Sequence, residues 1–201
     1  MGKETILLAV GAVVCYILLR RIGKDKRDDS RSAKLMEKYA TLTAENLAAT
    51  PDEELVEAVV AHILSRAADS RRPDPAAELA VMPQPYTIVY SIWTVCKELA
   101  RGDYKALTHT ATREMVDPAV DGLPVVGAPA TAAALAALRD AYGEKADTAE
   151  AEKAFHVAVE QECPLTLCAA YIRDHIPQLL GEDAEDAAVE NVIVEDAADE
   201  G

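Results

Sequence analysis

The sequence predicts an all-α fold: a compact helical bundle domain preceded by a single N-terminal transmembrane helix. Three observations predict it. Alanine is abundant while only 4% of residues are aromatic, which favours helices, because alanine is the best helix former and strands draw on aromatic and β-branched side chains. Apolar residues recur at helical spacing in several stretches, each set off by proline or glycine. Finally, Thr5 to Leu19 is a run of 15 uncharged, mostly apolar residues without a polar stripe. With half of its 201 residues hydrophobic, the chain has the means to bury a core.

As a helix, the run Thr5 to Leu19 covers about 22 Å of the roughly 30 Å hydrocarbon layer. Its flanks extend that reach: Arg20 and Arg21 can snorkel at one end, and Met1 and Gly2 lengthen the other. Ile6, Leu7, Leu8, Val10, Val13, Val14, Tyr16, Ile17, Leu18 and Leu19 are the expected lipid-facing anchor. A core helix inside the globule is the alternative, but it does not account for the missing polar stripe. A cleaved signal peptide fits worse, since Met1-Gly2-Lys3-Glu4 has no net charge and no A-x-A site follows. Myristoylation fails because Ile6 stands where Ser or Thr is required. Five bases from Arg20 to Arg27, against the neutral Lys3/Glu4 pair, place the N-terminus outside and the remaining chain in the cytoplasm. The expected organisation is an anchor over 1–22, a charged juxtamembrane spacer and start of the first helix over 23–38, the all-α domain over 39–181, and an acidic tail over 182–201.

Taken in order, a short helix is expected from Ala33 through Leu35, Met36 and Tyr39. Thr50-Pro51-Asp52-Glu53 has the form of a capping box with proline at the first helical position. The helix it opens should turn Leu55, Val56, Val59, Val60 and Ile63 inward. Ser70 to Pro83 is a proline-broken connection. Pro83 to Gly102 is the expected centre of the fold. One apolar row runs through Tyr86, Val89, Tyr90 and Trp93, another through Ile88, Ile92, Val95 and Leu99, leaving a narrow polar stripe. A helix with so little polar surface must be covered on two sides, so Tyr90, Ile92, Trp93 and Leu99 are expected in the core. Asp103 can start a helix through Tyr104 and Leu107, and Asp117 to Pro129, with three prolines and two glycines, is expected as a loop. Ala130 to Tyr142 forms an alanine-leucine helix ended by Gly143. Thr148 to Glu162 forms another, and Leu165 to Leu180 a last one kinked at Pro177.

The formal net charge is −15. Residues 39–181 hold 21 acids against 11 bases, and the last 20 residues hold nine acids with no Lys or Arg. Such a body repels phosphates, so direct nucleic-acid binding is excluded and basic partners are favoured. Asp52, Glu53, Glu54 and Glu57 cluster at one helix start, where complementarity to the helix dipole accounts for most of them and a partner patch is the alternative. Asp147 and Glu150 repeat that arrangement. Glu160 and Glu162 instead occupy a last turn, where the dipole disfavours them, which points to acidity kept for another purpose. These eight are the candidate partner-binding acids.

Motifs for chemistry are missing. The sequence has no Gly-rich phosphate loop, no G-x-S-x-G elbow and no H-E-x-x-H. His156, Cys163, Cys168 and His175 are evenly spaced, but a five-residue cysteine separation is not a zinc knuckle, and buried cysteines are commonly small hydrophobes. His62 lies beside Ile63 on an apolar helix and reads as a packed histidine. No catalytic residue, metal or cofactor is expected.

LTAENLAATPDEELVEAVV at Leu42 to Val60, then a proline-led helix carrying Tyr90, Ile92-Trp93 and Glu98-Leu99, then Gly102 and Tyr104, resemble the bacterial DNA-mimic protein family, specifically its C-terminal-type domain. The resemblance spans roughly Thr41 to Leu180. Where many relatives carry an Asn-Gly-Gly-aromatic turn, this chain has Arg101-Gly102-Asp103-Tyr104. The resemblance implies an all-α fold and, for the founding type, an acidic surface that occupies a basic DNA-binding protein. The expected function is therefore a membrane-anchored acidic interaction module without catalysis, held by membrane lipid through its N-terminal helix. An immunity-like inhibitor of a basic toxin and an enzyme with an unrecognised site are the alternatives.

Overall fold

The computed structural model describes residues 30–69, 74–100, 102, 104–109, 111–144 and 147–181, and the expected anchor Thr5 to Leu19 and the acidic tail lie outside them. Among the described residues the protein is all-helical. The helices are α1 (30–38), α2 (Ala44–Ala49), α3 (Asp52–Asp69), α4 (Pro75–Leu79), α5 (Gln84–Ala100), α6 (Ala106–His109), α7 (Ala111–Val125), α8 (Pro129–Glu144), α9 (Ala149–Glu162), α10 (Pro164–Asp174) and α11 (Ile176–Leu180). Among these residues, no helix is long and apolar enough to cross a membrane.

Helix α5 is central, as its two apolar rows require. It packs along α7 on one side and against α3 and α10 on the other, while α8 bridges α7 to α9. Ile88, Val89, Ile92, Val95 and Leu99 are all buried, and even Ser91, from the expected polar stripe, is fully covered. Its hydroxyl is satisfied by donating to the Ile88 carbonyl at 3.1 Å. Pro83 stands at the entrance, and Gly102 stops the helix in the left-handed region at φ 75°. Leu55, Val56, Val59, Val60 and Ile63 of α3 are buried as their spacing requires.

Several expected boundaries are corrected. Asp117 to Pro129 is not a loop, because α7 runs through Pro118 and Pro124 to Val125. An interior proline costs a helix about 3 kcal/mol. Here Met115, Val116, Ala119 and Leu123 form one buried face against α5, and each covered large side chain is worth about 1.5–3 kcal/mol. Gly122 lies on that face, where a Cβ would stand 3.1 Å from Ile88 Cγ2 and 3.5 Å from Ile88 Cα, so glycine lets α7 approach α5 closely. Thr50 does not form the capping box. It ends α2, and its hydroxyl donates to the Asn46 carbonyl at 2.6 Å. The capping box is one helix earlier, between Thr43 and Asn46. Helix α8 continues past Gly143 to Glu144, and the last helix breaks at His175 rather than bending, with Pro177 in the first turn of α11.

Candidate functional site

The four acids at the start of α3 fold into a corner where bases from distant elements meet them. Helix α1 lies against α3 and brings Arg31 within 2.5 Å of Glu57 and Lys38 within 3.0 Å of Glu54. Tyr39 also donates to Glu54 at 3.1 Å. The Lys38 bond, with help from Tyr39 and against the effect of burial, holds the Glu54 carboxyl below its ordinary value. From α10, Arg173 reaches Asp52 at 2.8 Å. Glu53 alone of the four is exposed without a partner among the described residues. The expected patch is thus largely neutralised, because pairs 16 to 121 residues apart in sequence close over it.

The acids of α9 divide in a different way. Asp147 accepts from the Ala149 amide at 3.1 Å and caps the helix start. Glu150 and Glu160 are exposed without a partner among the described residues. Glu150 borders a shallow groove of about 420 Å³ with Ala154, Val157 and Gln161. Glu162 is placed as a cap on the neighbouring helix. Its carboxylate accepts from the amides of Ala130 (3.0 Å) and Thr131 (2.7 Å) and from the Thr131 hydroxyl (2.7 Å), closing the open N-terminus of α8. Burial pushes the Glu162 carboxyl up, but the bonds from Thr131 and Ala130 outweigh it and hold the group below its ordinary value. The unfavourable position on α9 serves the dipole of α8.

Tyr90, Ile92 and Leu99 lie in the core, whereas Trp93 is half-buried at its rim. Trp93 carries the Lys97 ammonium 4.2 Å from its ring centre and borders a hollow of about 190 Å³ with Leu35, Met36, Val60 and Leu64. The imidazoles are scattered. His62 donates through Nδ1 to the carbonyls of Ala40 (2.9 Å) and Tyr39 (3.2 Å), and burial lowers its pKa. His156 bonds to the Tyr104 hydroxyl. His175 stacks on Tyr171 at 3.9 Å and donates to its carbonyl at 2.8 Å. Cys168 is buried and Cys163 exposed, and no group of metal-ligating side chains gathers among the described residues. Sequence reading missed Arg173, whose only local signal is its place near the C-terminus of α10.

No protein-family model, curated protein or solved structure matches the chain.

Proposed function

We propose that this chain is a membrane-anchored helical interaction module that engages a basic protein through exposed acids and performs no reaction of its own. The observation that carries the reading is the surplus of negative charge left after internal pairing. Glu53, Glu150 and Glu160 remain exposed without partners among the described residues, in a region with 21 acids against 11 bases. A negative field of this kind steers and holds a basic surface. The Thr5 to Leu19 run supplies the anchor, with the N-terminus out and the helical body cytoplasmic.

Mimicry of DNA is the finer version of this reading. Carboxylates three or four residues apart on a helix stand about 5–6 Å apart, close to the spacing of successive phosphates. Asp52, Glu54 and Glu57 are each paired and so do not offer such an array at the start of α3, and general acidic complementarity is the reading favoured here. The imidazoles of His62, His156 and His175, each tied to a backbone carbonyl or a tyrosine, support binding over catalysis.

Two measurements test the proposal. Flotation of cell membranes should carry the full-length chain, and deletion of residues 5–19 should release it. Full-length protein in detergent should retain basic proteins at low salt and lose them as salt rises. Recovery of the intact chain in the soluble fraction, or retention indifferent to salt, contradicts the proposal.

A further inference from the structure

Where α6, α7 and the end of α8 meet, a hollow of about 830 Å³ is bordered by Lys105, Arg113 and Arg139 and by one carboxylate, that of Asp117. In a chain of net charge −15 this convergence of three cations runs against the prevailing charge. The side chains of Lys105 and Arg113 are exposed and make no ion pair or hydrogen bond among the described residues. Arg139 is held differently. Its Nε donates to Asp140 at 2.9 Å and its Nη1 to Asp117 at 2.7 Å, which fixes the guanidinium and leaves Nη2 without a described partner.

The remaining wall sets the kind of ligand. Leu107 and Val116 are buried and give an apolar floor, with the half-buried Tyr142 beside them. The nearby hydroxyls are already directed elsewhere: Tyr142 (2.8 Å) and Thr148 (2.7 Å) both donate to Glu152, and Thr108 donates to the Lys105 carbonyl at 3.0 Å. The free donors facing the hollow are therefore cationic. Guanidinium forks pair well with phosphate oxygens. Asp117 and Asp140 offset the charge of Arg139, so the uncompensated positive charge at the hollow comes from Lys105 and Arg113. The volume lies within the range of small-molecule sites, about 300–1,000 Å³.

We propose that this hollow binds a soluble organic phosphate ester, with its phosphate held by Lys105, Arg113 and Arg139 and its apolar part laid on Leu107, Val116 and Tyr142. The site is separate from the acids assigned above to a basic partner, and the proposal does not depend on that reading.

Titration calorimetry of the full-length chain at low salt tests it, with ADP and inorganic pyrophosphate as probes and no divalent metal. The expected result is saturable binding of both, tighter for ADP because of the apolar floor. Lys105→Glu and Arg113→Glu should each weaken ADP binding about tenfold or more, the size expected for losing a charge-assisted hydrogen bond. Lys153→Glu, an equal change of charge on exposed α9, should leave binding near that of the parent. Circular dichroism melting of each variant confirms that the fold is retained. Absence of saturable binding, or equal weakening by Lys153→Glu and Arg113→Glu, overturns the site. Equal affinity for the two probes overturns the organic part. Binding only to vesicles containing phosphatidic acid overturns the soluble ligand.

Discussion

Arg173 and Asp52, 121 residues apart, are joined by two hydrogen bonds, from Nε at 3.0 Å and from Nη2 at 2.8 Å. The same guanidinium donates to the carbonyls of Leu47 and Thr50, each at 2.5 Å, so one α10 side chain ties the end of α2 to the start of α3. A hydrogen bond from a charged donor is worth about 1.5–3 kcal/mol, whereas an exposed ion pair is worth under about 1 kcal/mol. The carbonyls therefore matter more than the carboxylate. Arg173→Met should cost about 3 kcal/mol and Asp52→Asn under about 1 kcal/mol, read by urea unfolding followed through Trp93 fluorescence. Equal losses would place the weight on the ion pair instead.

Glu162, the last residue of α9, holds the N-terminus of α8 across 31 and 32 residues of chain. Loss of such a cap typically costs about 1 kcal/mol, so Glu162→Ala should destabilise the domain by that order and Glu162→Gln by less. Because the folded carboxyl lies below its ordinary value of 4.5, the unfolded chain takes up the proton first. The stabilisation is therefore present above about pH 4.5 and is lost as pH falls through the folded value. Melting curves between pH 6 and pH 3 should show a smaller fall for Glu162→Gln than for the parent.

Burial pushes the thiols of Cys96 and Cys168 up to about 12, whereas Cys163 is exposed between α9 and α10. Since the thiolate is the reactive form, iodoacetamide at pH 7.5 should label Cys163 in the native protein. Cys96 and Cys168 should react only after unfolding, as mass spectrometry of peptides would report. Cys163 also sits at φ 49°, the left-handed region that favours glycine. Cys163→Gly should accordingly leave stability unchanged or raise it slightly.

Gly122 lies where α7 meets α5, with Ile88 across the contact. A branched side chain there must push the helices apart or force Ile88 from its place. Gly122→Val should cost about 1–3 kcal/mol by overpacking, measured by urea unfolding. A stabilised variant would show the contact to be loose.

Local signals made much of the fold legible. Leu55, Val59 and Ile63, and Ile88, Ile92 and Leu99, repeat at helical spacing and are buried where that spacing puts them. Pro118, Gly122 and Pro124 misled because breaker propensity is local, while the burial that overrides it along α7 comes from α5. The acids were legible as residues but not as a surface. Arg31, Lys38 and Arg173 meet them only after the chain has folded back on itself. Glu160 and Glu162 looked alike in sequence, and only the placement of Ala130 and Thr131 separates them.

The central claim is that unpaired acids draw a basic protein to this chain. Its most direct test compares full-length protein with the variant Glu53→Gln, Glu150→Gln, Glu160→Gln in retaining basic proteins across a salt series. The parent should hold them at low salt and release them within a few tenths molar, where the Debye length falls below about 8 Å. The variant should release them at clearly lower salt while melting at the same temperature. Identical salt profiles for the two proteins would contradict the account.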